Sequence, residues 1–237
     1  MNAKLNLAEL AVEVVRKPIK NLHLGVYPPD GRVRIAAPER MPIEAIRLFA
    51  IGKLTWIRRQ RAAFSTQERA LAHEFVERES HYLWGRRYLL RVIEKDAAPA
   101  VRLRVRTIDL QVRPGADSQQ RGRVLDSWYR DQLRATLDPL LTKWQRLLRV
   151  KVERVHLQRM KTKWGSCNSE LCSIRLNTEL ARKPAECLEY ILVHELAHLR
   201  EPSHGPRFIA LLDGALPQWR ELRDTLNRLP LGHVSWN

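Results

Sequence analysis

The segment ECLEYILVHELAHLRE, residues 186–201, constrains this chain more than any other stretch. Leu188, Ile191, Leu192, Val193, Leu196 and Leu199 recur at helical spacing and make a wide apolar face, which other elements have to cover. On the same helix His194 and His198 stand four residues apart, about one turn, so both imidazoles project from one face and can reach one ion. Pro184 sits where the helix can begin and Pro202 where it must stop. An element that has to be buried therefore also carries the candidate chemistry.

Glu195 follows the first histidine and completes H-E-x-x-H. In that pattern the glutamate does not bind the metal; it accepts a proton from a metal-activated water and can pass it to the leaving group. A catalytic zinc takes three protein ligands and keeps a fourth position for water, so a third ligand is required. His204 is the expected one: the helix stops at Pro202, residues 201–203 turn the chain, and six residues suffice to bring a side chain back. This ligand spacing equals that of the metzincins, yet their glycine is Glu201 here and no methionine follows Met160.

The chain has 237 residues, 44% of them hydrophobic, enough for one large domain or two small ones. Its net charge is +16, from 42 Lys and Arg against 26 Asp and Glu, which suits an anionic partner or a dispersed basic surface equally. Cys167, Cys172 and Cys187 make no disulfide framework, which fits a reducing compartment. The first two are spaced too widely for the usual zinc pair and read as hairpin residues; Cys187 reads as core. No signal-like leader and no stretch of about 20 apolar residues is evident, so a soluble cytoplasmic protein without membrane contact is expected.

Along the chain, residues 1–120 read as a β-rich region with one helix, and 121–237 as a second domain. The alternation in NLHLGVYPPDGRVRIAAP, around a Pro-Pro-Asp-Gly turn, predicts a hairpin, and Ile43, Ile46, Phe49, Ile51, Leu54 and Ile57 predict one helix after Pro42. TQERALAHEFVERES fits either a short helix or a surface loop. Val101, Leu103 and Val105 alternate with Arg102, Arg104 and Arg106, predicting a strand with a basic face. A helix follows the polar break after Gly115, with Pro139 as a kink or stop. VERVHLQRM and the end of TKWGSCNSELCSIRLN read as two strands able to form a hairpin. No internal repeat is evident.

KTKWGSCNSELCSIRLNTEL followed by LEYILVHELAHLREPSHGPRF resembles the YgjP-like metallopeptidase family, relatives of the SprT-like and Wss-type zinc proteases. The similarity reaches GVYPPDGRVRIAAPERMPIEAIRLFAIGKLTWIRR near the N-terminus. It implies an α+β, zincin-like fold in which a twisted sheet packs on the helix bearing His194, Glu195 and His198, with His204 as third ligand. By analogy, an edge strand beside the cleft holds extended peptide, and residues 172–177 are the expected edge. Trp164 and Gly165 in the Trp-Gly-Ser turn match the family pattern; Trp164 walls the site or packs in the core, and Gly165 permits close backbone approach.

The leading expectation is a Zn²⁺ metallopeptidase acting on peptide or protein, with Glu195 as general base. His156, Tyr190, Asn177 and Arg207 are the candidate oxyanion donors, and Trp164, Gly165, Asn177 and Arg207 the expected substrate-binding residues. Two alternatives stay open. One is metal-dependent hydrolysis of a nucleotide phosphate, although no Walker loop or carboxylate cluster for Mg²⁺ occurs. The other is a basic module that binds DNA or DNA-bound proteins and carries a secondary zinc site.

Overall fold

The computed structural model describes residues 2–7, 10–27, 31–66, 73–160 and 163–229. The fold is α+β, and the chain divides into two compact units, Met1–Glu68 and Arg69–Asn237.

In the first unit β1 (Asn2–Leu7), β2 (Leu10–Lys17), β3 (His23–Tyr27) and β4 (Arg32–Pro38) form a sheet in the order β1-β2-β4-β3. The predicted hairpin is β3 and β4, antiparallel with Tyr27 opposite Arg32. Its turn falls largely on residues 28–30, outside the described residues; Gly31 takes φ +70°, which suits glycine. The single helix expected after Pro42 is two, α1 (Ile43–Gly52) and α2 (Leu54–Thr66), broken at Lys53. Ile46, Ala50 and Ile57 are fully buried, whereas Ile51 is 47% exposed, so the inward stripe is narrower than the apolar pattern.

The second unit starts earlier than the break near 120 suggests. Strands β5 (Ser80–Leu83), β6 (Arg86–Glu94), β7 (Ala100–Leu103) and β8 (Thr107–Val112) share one core with the helices that follow: Leu83, Leu90, Ile108 and Leu110 cluster with Leu125, Tyr129, Leu192 and Leu196. Residues 73–79, read as helix or loop, are irregular, while 67–72 lie outside the described residues. The expected basic strand is a hairpin, because the Arg104 N–H donates to the Thr107 carbonyl and turns the chain, leaving Val105 94% exposed at its tip. Arg91 and Arg104 converge on the buried Asp109 at 2.6 and 3.3 Å, neutralising part of the basic face. The strand order, β5-β6-β8-β7, repeats that of the first unit, with the same antiparallel, parallel and antiparallel pairings. The repeat lies in topology and not in sequence.

Helix α3 (Ser118–Leu148) opens with a capping box, Asp117 accepting from the Gln120 N–H and Gln120 from that of Asp117. It runs through Pro139, which sits on the exposed face beside exposed Ala135, whose carbonyl loses its helical partner where water can replace it. Leu125, Tyr129, Leu133 and Leu137 form the buried stripe. The Glu189 carboxylate fastens α3 to α4 (Ala185–Ala197), accepting from Trp144 Nε1 at 2.7 Å and Lys143 Nζ at 2.8 Å.

The third sheet carries the site. β9 (Arg154–Gln158), β10 (Gly165–Asn168) and β11 (Ser173–Asn177) are ordered β10-β11-β9. β9 and β11 are parallel rather than a hairpin, and the hairpin partner of β11 is β10. The β10–β11 loop closes without glycine: Asn168 Oδ1 accepts from the Leu171 N–H, and Cys172 takes φ +44°. A 3-10 turn at Thr178–Arg182 leads into α4, held by Arg182, which bonds Glu179 at 2.6 Å and lies 4.1 Å over the Tyr129 ring. Helices α5 (Pro206–Ala215) and α6 (Trp219–Arg228) complete the unit.

Lys183, just before α4, is 7% exposed, and burial pushes its pKa down to about 8 despite the opposing pull of Glu179. The unfolded chain keeps that proton up to about 10.5, so between pH 8 and 10.5 it binds more protons than the folded chain, and stability rises with pH. The climb attributable to Lys183 is about 3 kcal/mol at 1.36 kcal/mol per pH unit, and below pH 8 it is gone. Lys183→Met is expected to lack it. Urea unfolding of both chains at several pH values measures the gap, and a gap constant from pH 8 to 10.5 would refute the assignment.

Candidate metal centre

The apolar face of α4 anchors the site. Leu188, Leu192, Val193, Leu196 and Ala197 are fully buried, which presses the helix into the core and turns its histidine side toward a cleft of about 410 Å³. The regular helix ends at Ala197, one residue before His198 and well before Pro202; 3-10-type bonds from Leu199 and Arg200 to Leu196 and Ala197 tighten the end. This early stop lets residues 201–203 double back, and His204 arrives with its Nε2 3.1 Å from Nε2 of His194.

One ring nitrogen from each of His194, His198 and His204 lies within 4.8 Å of the others. Two ligands at 2.0–2.1 Å from one tetrahedral ion stand about 3.3 Å apart, close to the His194–His204 separation. His198 Nδ1 donates to the Glu201 carbonyl at 3.2 Å, which leaves its Nε2 lone pair for a metal. Burial, then the neighbouring histidines, pushes the His194 pKa down to about 4, and burial also lowers that of His198. Two half-buried imidazoles with lowered pKa, their ring nitrogens brought together with that of His204, fit a divalent cation of the zinc class.

Glu195 is 4% exposed and lines the same cleft. Burial pushes its pKa up to about 8, against the attraction of Lys163. Gly165 explains how a strand comes so near: a Cβ there would lie 2.5 Å from Glu195 Oε1 and 2.8 Å from its Cγ. Only a glycine lets β10 run past the carboxylate.

The YgjP-like metallopeptidase domain matches residues 20–229 of the chain. The protein belongs to the YgjP-like metallopeptidase family. Among solved structures, the metallopeptidase zymogen of Pyrococcus abyssi abylysin is similar at 23% identity, over 38% of this chain and 90% of that one, with a TM-score of 0.35. The zymogen of Methanocaldococcus jannaschii jannalysin is similar at 22% identity, over 37% and 90%, with a TM-score of 0.34. Comparison with curated proteins gives no match.

In this family member the expected substrate-binding residues fare unevenly. Gly165 lines the cleft. Trp164 packs against the core with Lys183 Nζ 5.7 Å from its ring centroid, and Arg207 is exposed on α5; neither is among the cleft-lining residues. Asn177 is fully buried and committed to backbone: its Nδ2 donates to the Met160 and Lys163 carbonyls, both at 2.8 Å, and its Oδ1 accepts from the Glu179 and Met160 N–H groups. It shapes the loop before β10 and has no donor to offer a substrate. Of the other oxyanion candidates, His156 is exposed on β9, across β11 from β10, and Tyr190 is 4% exposed, its ring stacked on Trp219.

The expected edge strand is also corrected. β11 lies between β10 and β9, so its backbone is paired on both sides, and the edge beside the cleft is β10. Lys163, Ser166, Cys167 and Ser169 line the cleft with it and were not among the candidates. The signal for them was their nearness to Gly165 in sequence. Burial pushes the Cys167 pKa up to about 11, with Glu195 adding to the effect, so it stays a thiol. Among the described residues no helix is long and apolar enough to cross a membrane.

Proposed function

We propose that the chain is a zinc peptidase that cleaves peptide or protein substrates, with His194, His198 and His204 as ligands and Glu195 as general base. The observation that carries this reading is the convergence of three ring nitrogens beside a buried carboxylate, at the mouth of a cleft bounded by an unpaired strand edge. A bound zinc supplies Lewis acidity, which makes water a nucleophile near neutral pH and polarises the scissile carbonyl. Glu195, buried against the Gly165 backbone, takes the proton of the attacking water and returns it to the leaving nitrogen. Its burial raises its basicity, and Lys163 keeps positive charge near the cleft. The free edge of β10 pairs with the extended backbone of the substrate, so main-chain hydrogen bonds set the scissile bond against the metal site.

Metal content of purified wild type and His204→Ala, with cleavage of an unfolded protein substrate, tests the reading. His204→Ala is expected to lose one equivalent of zinc per chain together with detectable cleavage. A variant that keeps the metal complement and turnover of wild type would overturn it.

A further inference from the structure

A second set of ligating side chains lies outside the cleft. His73, Glu79 and His81 each offer one atom within 4.8 Å of the others, and none belongs to the histidine trio of α4. His81 points from β5 into the core with its side chain fully buried, and neither ring nitrogen has a hydrogen-bond partner. Its Nε2 lies 3.5 Å from Glu79 Oε2, outside hydrogen-bonding geometry. A neutral imidazole carries one N–H and one lone pair, and folded chains seldom bury both unsatisfied. His73 stacks on His81 with ring centroids 4.4 Å apart and brings its Nδ1 to 2.6 Å from Glu79 Oε1.

Glu79 also gathers the backbone of the segment before β5, accepting from the Glu74 and Val76 N–H groups at 3.2 Å each. Its carboxylate is therefore fixed by the main chain, as a rigid ligand requires. The side chains of His73 and Glu79 are 26% and 17% exposed, which leaves a path for an ion and for water to complete its shell. Two nitrogens and a carboxylate oxygen are a donor set for zinc and its neighbours, not for calcium or magnesium.

We propose that His73, Glu79 and His81 bind a second divalent cation of the zinc class, which clasps residues 73–79 to strand β5. The site is structural: it fastens a segment without regular secondary structure to the edge of the sheet that α3 packs against.

The test uses the full-length chain carrying His194→Ala and His204→Ala, in which the cleft has lost two of its three nitrogens. Equilibrium dialysis against Zn²⁺ alone is expected to leave one equivalent bound per chain, and zinc is expected to raise the midpoint of thermal unfolding. Adding His73→Ala, or separately Glu79→Gln, is expected to weaken that binding at least tenfold and abolish the thermal shift. Both positions are partly exposed and glutamine keeps an acceptor for the loop, so circular dichroism of each variant in the absence of metal should match its parent. Zinc binding no greater than background in the His194→Ala/His204→Ala chain would overturn the proposal while leaving the peptidase reading intact. So would binding that survives both added substitutions.

Discussion

Replacing Glu195 with glutamine is expected to lower kcat by a factor between about 10² and 10⁴ while the zinc content stays at the wild-type level. Each tenfold loss is about 1.4 kcal/mol of transition-state stabilisation, so the carboxylate is asked to supply roughly 3–6 kcal/mol. Glutamine matches glutamate in shape, and the site is packed tightly enough for shape to matter: Glu195 is 4% exposed and the Gly165 backbone lies against it. What the substitution removes is the capacity to take a proton. The three histidines keep their positions because they are held by one another, by the Phe208 ring and, for His198, by the Glu201 carbonyl. Steady-state cleavage of a peptide by the two chains, with metal counted in the same samples, gives the comparison. Turnover by Glu195→Gln within tenfold of wild type would move the base elsewhere.

Gly165→Ala is expected to act nearly as strongly from the other side of the cleft. Its new methyl would lie 2.5, 2.8 and 2.9 Å from Oε1, Cγ and Cδ of Glu195, closer than real Cβ atoms approach any heavy atom. Either the carboxylate swings away or β10 retreats, and in both cases base and substrate edge lose their register. A displacement near 1 Å costs about 10²-fold in rate, and that is the drop expected in kcat, with zinc retained because no ligand is touched. The pair of variants separates two roles. Glu195→Gln keeps geometry and removes basicity; Gly165→Ala keeps basicity and spoils geometry. If Gly165→Ala cleaves as fast as wild type, β10 does not run beside the reacting atoms.

The convergence of His194, His198 and His204 was legible in part: helical period sets the first two on one face, whereas the stop that returns His204 comes at Ala197 and not at Pro202, where the sequence had placed it. Strand partners were less so. Alternation marks β9 and β11 as strands but says nothing of their direction, and inserting β10 between them in the chain makes the pair parallel. That same insertion moves the free edge from β11 to β10. The arginine alternation of residues 102–106 looked like one strand because a tight turn built from Arg104, Val105 and Arg106 keeps the period of two while reversing the chain. Asn177 was a fair candidate by type; only the folded backbone reveals that its amide is spent on Met160 and Lys163. The boundary near 120 followed a polar stretch, whereas the compact units follow core sharing, which composition does not report. His81 left no trace in the sequence at all, since a histidine in an alternating strand can face either side.

The shortness of β10 bears on what such a peptidase would choose to cut. Four residues at about 3.3 Å each span roughly 13 Å, so backbone pairing can grip about four residues of a guest chain, with only alternate side chains turned toward the enzyme. A grip of that length reads little text. Selection would then rest on whether a stretch of the target can leave its own fold and lie straight, and loosened or damaged proteins would present themselves ahead of intact ones.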